Sequence, residues 1–205
     1  APLLQSVRPA EALLEPEAQP RSYLPIDGVP GYLRAVQALV FGADAAALRE
    51  GRIATVQTLG GTGALRVAAD FMRRFNSDAG VWISNPSWEH HRALFEAAGF
   101  VAMVWALAFP LASLPAGSIV VLHVCCHNPT GADPTAEQWG RIIEIVRAGQ
   151  LVPILDLAYQ GFANGLDADA DPVRRFVAAG VPALVANSFS KNFSLYGERV
   201  GGLSL

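Results

Sequence analysis

The sequence predicts an α/β fold arranged around a mostly parallel sheet. Three observations support this. Short apolar runs of strand length alternate with stretches of helical period. The runs are apolar throughout, as strands covered on both faces are. The chain, at 205 residues, is long enough to bury one continuous core.

Taken in order, Arg52–Thr58, Val81–Ser84, Phe100–Trp105, Ile119–Val124, Leu151–Asp156 and Ala183–Asn187 read as strands. Leu65–Phe75 places Leu65, Ala68, Ala69, Met72 and Phe75 on one helical face. Thr135–Ala148 opens after an Asp133-Pro134 start signal and repeats Trp139, Ile142, Ile143 and Val146 on one side. Pro172–Ala179 reads as a shorter helix, closed by Gly180 and Pro182. A parallel sheet places its ligand at the carboxyl ends of its strands. Candidate functional residues therefore belong just after each strand.

Composition excludes several classes. Hydrophobic residues make up 52% and charged residues 16%, against about 25% charge in an average soluble domain, so the chain is not disordered. The net charge of −3 and the lack of a Lys/Arg run argue against a nucleic-acid partner. So low a charge predicts that part of the surface is covered by another subunit. No apolar run reaches the roughly 20 residues of a membrane span. The first residues carry Arg8, Glu11 and Glu15 where a signal peptide needs unbroken apolar sequence. The two cysteines, Cys125 and Cys126, are adjacent and read as buried thiols. A cytoplasmic address is predicted.

Five clusters follow strands. Leu59-Gly60-Gly61-Thr62-Gly63 runs into a helix, where glycines admit close approach and free N–H groups attract an anion. Its spacing matches neither the dinucleotide nor the Walker pattern, and by itself it is equally a tight turn. Asn85-Pro86-Ser87-Trp88 precedes Glu89-His90-His91; Trp88 alone reads first as a core plug and second as a stacking platform. The His pair has no partner cluster at zinc spacing; His123 and His127 flank the cysteines, but strand alternation points neighbours to opposite faces, so no metal site is predicted. His127-Asn128-Pro129-Thr130-Gly131 is a turn. Asp156 ends a buried strand, where a carboxylate is costly without a cationic partner, and Tyr159 follows. Ser188-Phe189-Ser190-Lys191 follows the last strand, with Arg199 beyond it.

In this order and spacing, these motifs, with Asp156-Leu157-Ala158-Tyr159-Gln160-Gly161-Phe162 among them, resemble the class I aminotransferases of the aspartate and aromatic type. Those are fold-type I enzymes dependent on pyridoxal 5′-phosphate, with a three-layer α/β/α large domain. Asn187–Lys191 and Ser194–Ser204 resemble the aromatic-amino-acid branch more than the aspartate branch. The resemblance implies that residues 1–205 are the cofactor-binding large domain, without the family's N-terminal arm and C-terminal small domain. It implies a Schiff-base lysine and proton carrier in Lys191, and an acid in Asp156 that keeps the cofactor's ring nitrogen protonated. Asn128 and Tyr159 would bond the ring oxygen and Trp88 would stack on the ring. Gly61, Thr62, Ser188 and Arg199 would hold the phosphate, with Arg199 as a fork. His91 and His123 match supporting positions. Tyr23, within Ser22–Gly28, resembles a tyrosine that reaches the phosphate of a neighbouring subunit, which implies a homodimer with shared sites.

The segment Val104–Ser113 is shorter than its counterpart in the family, and the family's substrate-binding arginines lie beyond Arg199. A partial chain is therefore expected. The implied activity moves an amino group between aromatic or dicarboxylic amino acids and 2-oxo acids such as 2-oxoglutarate, by a ping-pong route. The alternatives are an aspartate-preferring aminotransferase, a cofactor-sensing regulatory module, and a lyase on the same fold.

Overall fold

The computed structural model describes residues 4–14, 22–106 and 111–205. Among them, seven strands form one sheet: β1 Thr55–Leu59, β2 Val81–Asn85, β3 Ala102–Ala106, β4 Ile119–His123, β5 Val152–Leu157, β6 Leu184–Ser188 and β7 Val200–Ser204. Their spatial order is β1-β7-β6-β5-β4-β2-β3. From β3 to β6 every pairing is parallel, while β7 runs antiparallel to both β6 and β1. The sheet is thus mostly parallel, as predicted.

The helices are α1 Val7–Leu14, α2 Pro30–Phe41, α3 Ala46–Arg49, α4 Gly60–Phe75, α5 His90–Ala97, α6 Ala136–Ala148 and α7 Leu166–Ala178. They cover both faces of the sheet. On one side Val36 and Val40 of α2, Trp139 and Val146 of α6, and Val173 and Phe176 of α7 pack on Val120, Leu122, Leu155 and Leu157. On the other, Leu65, Ala68 and Met72 of α4 and Phe95 of α5 pack on Val81, Val121 and Ile154. Neighbouring residues of the central strands alternate between the two cores, which is why β4 and β5 are apolar on both faces over most of their length. Among the described residues no helix is long and apolar enough to cross a membrane.

Several boundaries differ from the sequence reading for identifiable reasons. The Gly60–Gly63 loop is the first turn of α4 itself. Pro172 does not start its helix but lies inside it, six residues after Leu166. The acidic first turn, Asp167 and Asp169, begins α7, where negative charge complements the positive end of the helix dipole. The sequence reading omitted α1, α2, α3, α5 and β7. In β7, a Cβ at Gly201 would lie 2.5 Å from the backbone carbon of Gly60 and 2.7 Å from the Asn187 carbonyl. There, glycine lets three backbones meet. Of the segment Val104–Ser113, residues 107–110 lie outside the described residues; β3 ends before them and a 3₁₀ turn, Leu111–Ser113, follows.

Candidate active site

All the parallel strands end at the same edge, and there they enclose a cavity of about 320 Å³. Of the sequence-predicted residues, Gly61, Thr62, Trp88, Asn128, Asp156, Tyr159, Ser188, Lys191 and Arg199 line it. Tyr23 does not: it stands fully exposed on the segment before α2. Sequence reasoning missed Leu65, Cys125, Ala158, Ser190 and Tyr196 as lining residues. Ser190 carried a signal, since it sits two residues from Ser188 where the chain leaves β6.

Each wall comes from a strand end. At the end of β1 the chain turns directly into α4 through Gly60, at φ +68°, a conformation that favours glycine. A Cβ there would lie 2.6 Å from Nη2 of Arg199, and one at Gly61 would lie 3.0 Å from Cβ of Ser188. The glycines keep the space beside Arg199 and Ser188 open, next to the unbonded N–H groups that begin a helix. Arg199 is itself tethered, its Nη1 donating to Ser190 Oγ at 3.3 Å and to the Tyr196 carbonyl at 3.0 Å. Ser188 Oγ accepts from the Ser190 amide at 3.3 Å. These groups form a pre-built anion cradle.

Opposite the cradle, Asp156 stands one residue before the end of β5, in register with His123 of β4. It is only 7% exposed. His91, fully buried on α5, lies with Nε2 2.9 Å from Asp156 Oδ2 and Nδ1 2.9 Å from Ser87 Oγ. Because a carboxylate only accepts, the imidazole Nε2–H donates to it, and Nδ1 pairs with the Ser87 hydroxyl. Ser87 Oγ also lies 3.4 Å from His123 Nε2. Burial alone would raise the Asp156 pKa; the His91 hydrogen bond, with the charges of His91, His123 and Lys191, outweighs it and holds the carboxyl below its usual value. A buried, ionised acid thus faces a lysine across the cavity.

The rings of His123 and His127 meet at 4.4 Å between centroids. β4 ends at His123, and Cys126, with φ +51°, turns the chain before His127. His127 is fixed by Ser84 Oγ at 2.9 Å and Thr130 Oγ1 at 2.8 Å, and its backbone N–H donates to Asp133. Trp88 meets His91 edge-on and stacks with His90 at 4.9 Å. Lys191 Nζ lies 4.8 Å from the centre of the Tyr159 ring. Burial pushes the Tyr159 phenol up, with Asp156 adding to the effect. It also raises both thiols; Cys125 is buried as expected, while Cys126 is half-exposed.

This architecture is that of the fold-type I, pyridoxal 5′-phosphate-dependent transferases. Residues 2–205 match the family model for aminotransferase class I and II, and the chain belongs to that family. It is 51% identical to the tyrosine aminotransferase of Klebsiella pneumoniae over an alignment of 218 positions, covering all of this chain and 55% of that protein. It is 50% identical to an aspartate aminotransferase of Pseudomonas aeruginosa, covering 54% of it. An aromatic-amino-acid aminotransferase from Burkholderia pseudomallei, solved covalently bound to pyridoxal phosphate, superposes with a TM-score of 0.96 at 50% identity, over 99% of this chain and 54% of that one. The chain spans about half the length of the curated relatives it matches.

The buried histidines predict a pH dependence of stability. Burial lowers the pKa of His123 from 6.5 to about 4, against the opposing pull of Asp156. Between those values the unfolded ring binds a proton that the folded ring refuses. Stability should therefore be full above about pH 6.5 and fall as pH drops toward 4, by at most on the order of 3 kcal/mol from this group. Urea unfolding at pH 7.5 and 4.5 should show a clearly smaller loss in His123→Gln than in the unsubstituted protein. Equal losses would remove His123 as the cause.

Proposed function

We propose that residues 1–205 are the cofactor-binding large domain of an aminotransferase. It moves an amino group between aromatic or dicarboxylic amino acids and 2-oxo acids such as 2-oxoglutarate, by a ping-pong route. The main support is the meeting, in one cavity, of the buried Asp156 carboxylate, Lys191, and the Gly60–Arg199 anion cradle. Those groups fit pyridoxal 5′-phosphate: the glycines leave room for a phosphate that a Cβ would fill, and Arg199, Ser188, Gly61 and Thr62 supply donors of the right charge. When bound, the cofactor supplies an electron sink for the bond broken at the amino acid's α-carbon.

The chain's own residues do the rest. Asp156 would hold the proton on the cofactor's ring nitrogen, and His91 keeps that carboxylate oriented and ionised. Asn128 and Tyr159 would hydrogen-bond the ring oxygen, while Trp88 would cover the ring face and exclude water. Lys191 would anchor the cofactor and, when released, carry a proton at Nζ. Tyr23 would serve the phosphate of a partner subunit in a cytoplasmic homodimer. Its full exposure, alongside that of Ile26, agrees with a role outside its own cavity. An aspartate-preferring enzyme is the second reading, supported by the 50% identity to the Pseudomonas protein.

Reduction of the protein with borohydride in the presence of pyridoxal 5′-phosphate should leave a pyridoxyl label on Lys191, located by peptide mapping. Label elsewhere, or none, rejects the assignment. The full-length enzyme should transaminate tyrosine and phenylalanine with 2-oxoglutarate while retaining aspartate activity. Efficient aspartate turnover with negligible tyrosine turnover would select the second reading.

Tyr23→Phe removes one donor to a charged phosphate, worth roughly 1.5–3 kcal/mol, and should loosen cofactor binding by about ten- to a hundredfold without unfolding the protein. In mixed dimers of Tyr23→Phe and Lys191→Ala chains, the site with intact Lys191 receives an intact Tyr23 from its partner and should regain normal affinity. Mixed dimers no better than the Tyr23→Phe homodimer would place Tyr23 in its own subunit's site.

A further inference from the structure

The loop that leaves β5 carries Tyr159 and then turns toward α7. Its amides are satisfied largely from one place. The Asp169 carboxylate accepts from the N–H of Gly161 at 2.8 Å and of Ala163 at 3.0 Å through Oδ2, and from that of Asn164 at 2.8 Å through Oδ1. Between them the Phe162 N–H donates to the Tyr159 carbonyl at 3.0 Å. Four consecutive amides are thus tied either to Asp169 or to Tyr159 itself. Gln160, 2% exposed, adds a second anchor, its Nε2 donating to the carbonyls of Leu39 at 3.1 Å and Leu166 at 2.9 Å.

Asp169 is 3% exposed. A carboxylate at that depth is tolerated because its oxygens are filled with bonds. It sits in the first turn of α7, where a capping acid would satisfy the amides of its own helix. Its three carboxylate bonds instead all run upstream of Leu166, into the loop. Tyr159 lies between two fixed points, Asp156 within the sheet and the clasped segment Gly161–Asn164. Its ring faces Lys191 Nζ at 4.8 Å and lines the cavity. We infer that Asp169 is a positioning residue: its carboxylate clasps the loop after β5 and thereby fixes where the Tyr159 phenol stands relative to Lys191 and the bound cofactor. This rests on the aminotransferase reading of the cavity for its functional consequence, and on the clasp geometry alone for its structural one.

Hydrogen exchange tests the clasp and cofactor affinity tests its purpose. In Asp169→Asn, exchange at Gly161, Ala163 and Asn164 should quicken by about tenfold or more. Pyridoxal 5′-phosphate should bind about tenfold more weakly. Added to Tyr159→Phe, the same change should cost less than about twofold further, because the phenol that it positions is gone. Equal losses in the two backgrounds would make Asp169 a stability residue only and overturn the inference. Should Asp169→Asn not fold, the unsubstituted protein carries the test: bound pyridoxal 5′-phosphate should slow exchange at the same three amides together, and unchanged exchange overturns it. Should the unsubstituted protein bind no pyridoxal 5′-phosphate, the aminotransferase reading fails, and an ultraviolet titration decides the clasp. The Tyr159 phenol, assigned by its loss in Tyr159→Phe, should titrate closer to the ordinary 10 in Asp169→Asn. No movement overturns the inference in that case.

Discussion

One buried charge organises the functional edge of this molecule. Asp156 lies next to the end of the strand at the centre of a sheet covered on both faces, a place where an unpaired carboxylate would cost several kcal/mol. What makes it tenable is the His91 hydrogen bond, and that bond places demands on everything nearby. His91 must be buried, so α5 must pack its first turn against β5. Its second nitrogen must find a partner, so Ser87 stands at 2.9 Å from it and within 3.4 Å of His123. His123 in turn is held against His127, which Ser84 and Thr130 fix from either side. The loops after β2 and β4 are thereby ordered by a chain of polar contacts that begins at one carboxylate.

The anion cradle is held by the opposite means, crowding of backbone rather than satisfaction of polar groups. Gly60 and Gly201 bring β1, β7 and the start of α4 to a separation at which no side chain fits. Arg199 then lies across the cradle with its own backbone at φ +54°, a conformation uncommon outside glycine and held here by contacts to Tyr196 and Ser190. The two halves need different sequences for this reason. The cradle is written in glycines and small hydroxyls, the acid side in histidines and an aspartate.

That difference also explains what could be read from sequence. The apolar strands and the α4 and α6 faces were legible because burial on a periodic surface leaves a periodic record: Leu65, Ala68 and Met72 are all in the core. The family motifs were legible because the cavity is lined by short contiguous pieces that follow strand ends. β7 was not, since its Gly201-Gly202 pair is selected by backbone proximity to elements far away in sequence. Nor was the start of α7, because Pro172 imitates a helix beginning and the true one is marked only by acids. The Asp169 clasp has no sequence signature at all, as an acid in a first turn reads as a cap wherever its bonds go.

The same logic bears on substrate choice. The chain is nearly equally identical to a tyrosine aminotransferase and an aspartate aminotransferase, at 51% and 50%. The motifs that make the family recognisable line the cavity, and on the proposed reading a cofactor common to both reactions would constrain them alike. Among the residues lining the cavity, the cations are Lys191 and Arg199, and His123 is kept neutral by burial near pH 7. Arg199 is engaged in the anion cradle and Lys191 opposes Asp156. A dicarboxylate needs a further cation for its side chain, whereas an aromatic ring needs apolar surface. On the proposed reading, discrimination between them must therefore come from groups other than the ones that would bind the cofactor.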